Sequence, residues 1–298
     1  MRHLLFIFTF LFLLSCTNNI SNKDHSIYID NYNRGDSLLQ SYYLGLIEHD
    51  NLSDNVLDAI ISFRKALIYA EDSVPGLQKL GECNIILREY QEALNYLNRC
   101  SYISKNDYTT FLLISRAYRG LGEYDRSIAI CDSLISSDTI ELTIFIESAL
   151  LAGNIYALNY DARAIKYYDM ILNVSSDNIK SLYGKALFYQ NNQMYTEAID
   201  IYYKIKDIDP TNLNTNFNLG FIFMELHDYD IAINFFSDVI VSEKTYYKAY
   251  FARGICYEKK GNVIYAEKDF RKALEINPMY SHAKERLDKL LLDNKKYR

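Results

Sequence analysis

Side chains that can move a proton, hold a metal or attack an electrophile are scattered through this sequence. The five histidines, His3, His25, His49, His227 and His282, lack a Cys, His or carboxylate at metal-ligand spacing with a matching second pair, so no metal site is expected. Gly120-Leu121-Gly122 follows a helical stretch, whereas a phosphate-cradling loop would follow a strand. No nucleophile-elbow pattern occurs, and the acidic residues fall on charged helix surfaces instead of forming paired carboxylates. The chain is therefore read as having no catalytic residues, no cofactor and no small-molecule substrate. Five cysteines remain: Cys16, Cys83, Cys100, Cys131 and Cys256.

Cys16 closes an N-terminal address. Arg2 and His3 precede an apolar run from Leu4 to Leu14, which as a helix would cover roughly 16 Å, about half a bilayer core; this is the length of a signal-peptide core and not of a membrane span. The run ends Leu13-Leu14-Ser15-Cys16, which resembles a bacterial lipobox. The resemblance implies cleavage before Cys16, a lipid on that cysteine, and a place in the bacterial cell envelope. The residue after the cysteine is not aspartate, which by the same resemblance points to the outer membrane. An ordinary secretory signal with an incidental cysteine is the alternative. Residues 17–36 are polar without helical period and read as a tether, a coil with a reach of about 25 Å.

The elements that would position any binding residue emerge from 250–278. Tyr250, Gly254 and Tyr257 share one helical face, and Ala266, Phe270, Ala273 and Leu274 share another, with a break at Gly261 and a stop at Pro278. A glycine inside a helix costs about 1 kcal/mol against alanine, so Gly254 needs a compensating close approach, expected at Ala266 twelve residues on. The same small pair recurs as Gly220/Ala232, Ala186/Ala198, Ala152/Ala164, Ser115/Ser127 and Gly81/Ala93. Successive pairs step by 34 residues, except one step of 37 placed near 138–142. A divergent first hairpin is expected at 37–48 and 55–70, with Gly45 opposite Ala59.

These hairpins resemble the tetratricopeptide repeat (TPR) family. Leu80-Gly81 and Leu219-Gly220 match its leucine–glycine pair; Tyr118, Tyr189 and Tyr257 match the tyrosine three residues later. Tyr90, Tyr124, Tyr195 and Tyr229 match its turn tyrosine; Tyr168, Tyr202, Phe236 and Phe270 the second-helix aromatic; Pro210 and Pro278 the closing proline. Leu97 and Cys131 depart from the aromatic, and Lys105, Thr139, Ser176 and Lys244 from the proline. The expected fold is an all-α solenoid of about seven hairpins. Its organisation is a lipoprotein signal at 1–15, a lipidated tether at 16–36, TPR hairpins at 37–280, and a capping helix with a basic tail at 281–298. Ala283, Leu287, Leu290 and Leu291 give that last helix its apolar face.

With 49% hydrophobic residues, 14% aromatic and three prolines, the composition supports a packed helical core. The formal charge of −6 reads as spread out with no basic stripe, which disfavours nucleic acid and a directly bound anionic membrane surface. Cys83 and Cys256 take one position in distant repeats and Cys100 and Cys131 face the core, so no disulfide is expected.

The TPR resemblance further implies a concave face lined by first helices. It begins with Gln78, Glu82, Leu112 and Arg116 and continues with Tyr156, Tyr183, Leu187, Phe217, Asn218, Phe221, Met224, Phe251 and Ile255. Only Asn218 and Lys248 match the family's carboxylate clamp, and Ala252 stands where its arginine would be, so that clamp is absent. The expected partner is a protein that offers an apolar peptide or amphipathic helix, with the membrane reached through the lipid. The second reading is a localisation or assembly subunit of an envelope enzyme or secretion complex that recognises no peptide itself.

Overall fold

The computed structural model describes residues 22–43 and 52–296. The signal, Cys16, Gly45 and His49 lie outside the described residues. Fifteen helices and no strand occur among the described residues, and the chain divides into two compact units, Met1–Ile155 and Tyr156–Arg298.

The first unit holds α1 (Asn22–Tyr43), α2 (Leu52–Tyr69), α3 (Val74–Ile86), α4 (Tyr90–Ile103), α5 (Tyr108–Gly120) and α6 (Tyr124–Ile135). Helix α7 (Leu142–Leu158) runs across the division. The second unit holds α8 (Arg163–Val174), α9 (Ile179–Asn191), α10 (Tyr195–Ile208), α11 (Leu213–Glu225), α12 (Tyr229–Ser242), α13 (Tyr247–Lys259), α14 (Val263–Ile276) and α15 (Ser281–Lys296). Within each unit every helix packs on the next, and first helices also meet: α3 with α5, α11 with α13.

Local chemistry repeats with the period. Ser73, Asp107, Asn178 and Asn212 each precede a first helix and accept a hydrogen bond from a backbone N–H of its first turn, satisfying donors the helix leaves open. The hairpins turn at a left-handed residue, Arg88, Gly122, Tyr160, Gln193, His227 and Gly261 in order. Only the two glycines adopt that conformation without strain. The extra residues of the 37-residue step fall in the linker 136–141 and the first turn of α7.

The small positions hold the register, but the close approach differs from the expectation. A Cβ on Gly254 would lie 2.7 Å from Phe270 Cε1, and one on Gly220 would lie 2.8 Å from Phe236 Cε1. The glycines therefore make room for the ring four residues beyond the expected alanine. Where both partners are serine, hydrogen bonds replace that contact: Ser115 Oγ donates to the Ser127 carbonyl at 2.9 Å and Ser127 Oγ to the Ser115 carbonyl at 2.8 Å.

The tether reading fails over residues 22–36. They form most of α1, which packs on α2 through Tyr28, Tyr32, Gly35, Leu39 and Tyr42, spaced four, three, four and three apart. Gly35, with Phe63 Cε1 2.8 Å from its would-be Cβ, fills the role expected of Gly45. The first hairpin therefore starts at Asn22 and not at 37. Tyr28 Oη to Ser73 Oγ at 2.6 Å, Lys79 to Asp36 at 3.1 Å and Tyr43 Oη donating to Glu82 at 2.6 Å tie α1 to the following repeat.

In the second unit Arg253 joins three helices. Its Nε and Nη2 donate to the two carboxylate oxygens of Asp269 at 2.8 and 2.9 Å, and its Nη1 donates to Ser237 Oγ at 2.9 Å. Burial works against this guanidinium, but Asp269 outweighs it and the pKa is raised.

Candidate partner-binding face

In the second unit α9 carries Tyr183 and Leu187 one turn apart, α11 carries Phe217, Asn218, Phe221 and Met224, and α13 carries Phe251 and Ile255. Each is half-buried, as is Tyr156 at the end of α7. The contacts sort them into different roles.

Phe217 lies 5.5 Å from the Phe236 ring and 5.4 Å from Tyr246; Phe251 lies 5.7 Å from Phe270 and 5.1 Å from Tyr280. Met224 packs on Ala232, Phe236, Ala252 and Cys256, and Ile255 on Ala266, Phe270, Leu287 and Leu290. These four join successive repeats and are not a free wall. Tyr156 is stacked on Tyr167 at 5.4 Å, with the Arg163 guanidinium 4.3 Å from its ring centroid. Leu187 and Phe221 remain as the half-buried apolar side chains outside those clusters.

Beside them runs a hydrogen-bonded chain. Asn218 Nδ2 donates to Tyr183 Oη at 2.9 Å and to Tyr202 Oη at 3.0 Å, and Tyr202 Oη donates to Gln190 Oε1 at 2.8 Å. The Asn218 amide hydrogens are thus occupied, while the Tyr183 hydroxyl keeps its proton for an outside acceptor. Tyr202 is fully buried, and burial first, with Tyr183 next, pushes its pKa up. The sequence reading treated Tyr202 as a core aromatic only. The signal was its hydroxyl, since a buried tyrosine needs a partner that the phenylalanines at 236 and 270 do not.

The first unit brings the other expected face residues into a pocket of about 430 Å³ lined by Gln78, Lys79, Glu82, Leu112, Arg116 and Glu147 among others. Its charges are largely paired internally. Lys79 lies 3.1 Å from Asp36 and 3.3 Å from Glu82, and Arg116 pairs with Glu147. Burial disfavours the Lys79 ammonium, but Glu82 and Asp36 together raise its pKa.

Among the described residues no group of three or more His, Cys, Asp or Glu side chains could hold a metal, and no helix is long and apolar enough to cross a membrane. Cys83, Cys100, Cys131 and Cys256 are free and buried. Burial pushes the Cys83, Cys100 and Cys256 thiols up to about 12 and the Cys131 thiol up to about 11.

Sequence models described as tetratricopeptide repeat match residues 247–280 and 179–212, so the chain carries tetratricopeptide repeats. It is similar to the human (Homo sapiens) DnaJ homolog subfamily C member 7, 21% identical over 227 residues, covering 71% of this chain and 45% of that protein. The chain spans less than half the length of the curated relatives it matches. Among solved structures, a tetratricopeptide repeat protein from Parabacteroides merdae ATCC 43184 aligns with a TM-score of 0.58 and 18% identity, over 87% of this chain and 99% of that one. A chain of the APC/C hetero-tetramer Cut9-Hcn1 aligns with a TM-score of 0.56 and 14% identity, over 85% and 51%. At such identities the likeness is one of fold, an all-α TPR solenoid class.

Proposed function

We propose that this chain is a non-enzymatic scaffold, anchored in the bacterial envelope through a lipid on Cys16, that holds an apolar peptide or amphipathic helix of a protein partner on the first-helix face of its second unit. Tetratricopeptide repeat proteins are generally protein-interaction scaffolds, which supports this reading. The observation that carries the site is the pair Leu187 and Phe221, half-buried beside Tyr183, whose hydroxyl can donate to a peptide carbonyl.

Leu187→Glu combined with Phe221→Glu is the appropriate perturbation, because Phe251 and Phe217 hold the repeats together and their loss would confound folding with binding. Cross-linking in intact envelope should lose the partner captured by the unaltered protein while circular dichroism stays unchanged. Retention of that partner by the folded double variant overturns the assignment. Lipidation is tested separately by palmitate labelling of Cys16→Ala, since removing 16–36 would also remove most of α1.

A further inference from the structure

The whole-chain charge of −6 conceals a segregation that corrects the expectation of evenly spread charge. Residues 244–298 contain fourteen Lys and Arg against seven Asp and Glu, a formal +7, while residues 1–243 contain eighteen against thirty-one, a formal −13. The positive segment coincides with α13, α14 and α15. Ten of its fourteen cations are lysines, and three of its four arginines are tied to Asp269, Glu267 and Glu258. The free charge is thus diffuse ammonium, without the forked guanidinium groups that grip nucleic-acid phosphates and base edges.

These lysines surround exposed apolar side chains. Helices α14 and α15 pack antiparallel, with Ala283 in the cluster of Ala273 and Leu287 and Leu290 in the cluster of Ala266 and Phe270. That arrangement brings the start of α14 and the last turns of α15 to one end of the pair. Ile264, 82% exposed, and Tyr265 sit there on α14, and Leu292, 66% exposed, sits there on α15. Lys268 follows Ile264 by one turn, Lys289 precedes Leu292 by one, and Lys259 ends α13 beside them. All three lysines are exposed, and none has a carboxylate at ion-pair distance among the described residues.

We propose that this end of the C-terminal helices, with Ile264, Tyr265 and Leu292 ringed by Lys259, Lys268 and Lys289, docks directly on an anionic lipid bilayer. The apolar side chains enter the headgroup boundary while the ammonium groups face the lipid phosphates. The rest of the second unit, residues 156–243, carries twelve Asp and Glu against six Lys and Arg and is repelled by the same surface, so the charge separation also orients that unit. This contact is additional to any acyl anchor and independent of the partner face.

The test uses the full chain and flotation with phosphatidylcholine vesicles with or without phosphatidylglycerol. The apolar run near the N-terminus is common to every variant, so the readout is the ratio of binding to anionic over neutral vesicles. Each lysine at such a surface contributes about fivefold, so Lys259→Gln/Lys268→Gln/Lys289→Gln should lower the ratio about a hundredfold. Lys180→Gln/Lys204→Gln, two exposed lysines elsewhere, should leave it unchanged. Ile264→Ser/Leu292→Ser should weaken binding to both vesicle types. A wild-type ratio near one overturns the proposal, as does a triple variant that keeps the wild-type ratio. Salt-sensitive dimerisation in sedimentation velocity without vesicle preference would also overturn it and assign the lysines to a second, acidic copy of the chain.

Discussion

Removing one partner of the Arg253–Asp269 pair should destabilise the second unit far more than removing both. The Asp269 side chain is 5% exposed and that of Arg253 19%, and the two make paired hydrogen bonds. Asp269→Asn keeps the shape but leaves a largely buried guanidinium without its counter-charge. Breaking a buried pair this way costs about 3–5 kcal/mol, and the residual exposure of Arg253 places this case near the lower end, about 3 kcal/mol. For a unit of this size that corresponds to a fall of about 10 °C in Tm. The double replacement Arg253→Met/Asp269→Leu removes the stranded charge along with its partner and should stay within about 1 kcal/mol of wild type. Thermal and urea unfolding followed by circular dichroism would give both values. Because repeats couple mainly to their neighbours, hydrogen exchange should accelerate chiefly in α12 to α14. A cost below about 1 kcal/mol for Asp269→Asn, or a double variant less stable than the single, would refute the reasoning.

Other outcomes follow from the packing. Gly220→Ala sets the crowding of a Cβ 2.8 Å from Phe236 against a helix-propensity gain of about 1 kcal/mol, and urea unfolding should show a net loss of about 1 kcal/mol. Tyr28→Ala, at a buried site of α1, should cost about 3 kcal/mol or more in urea unfolding, whereas the same change in a solvated tether would cost nothing. The four helical thiols should resist iodoacetamide at pH 8 in the native protein and react on unfolding. Their folded pKa values lie above the unfolded ones, so the native state holds protons that the unfolded chain releases. The stability they contribute is complete below about pH 9 and is lost as pH rises through about 11 to 12, a slope visible in alkaline unfolding midpoints.

The 34-residue phase was legible because Gly81, Ser115, Gly220 and Gly254 are small where a helix has no reason to be, and their spacing repeats. What they accommodate was not, since two candidate neighbours, Ala266 and Phe270, lie one turn apart on the same face and only packing decides between them. Helix α1 was hidden by composition: Asn, Asp and Ser dilute a stripe whose members are tyrosines and a glycine, and tertiary contact with α2 overrides the poor propensity. The candidate face was legible as a set of positions but not as roles. A half-buried phenylalanine that fills a seam and one that waits for a partner have the same sequence signature, and Phe217 and Phe221 differ only in which rings approach them.

Helix α1 also sets a leash length. Five residues, 17–21, separate Cys16 from Asn22, a span of at most about 20 Å even when fully drawn out. An acyl chain on Cys16 would therefore keep the first turn of α1 within roughly one helix-bundle diameter of the headgroups, with no long stalk to lift the repeats away. Lengthening 17–21 with glycine and serine would lengthen that leash in proportion.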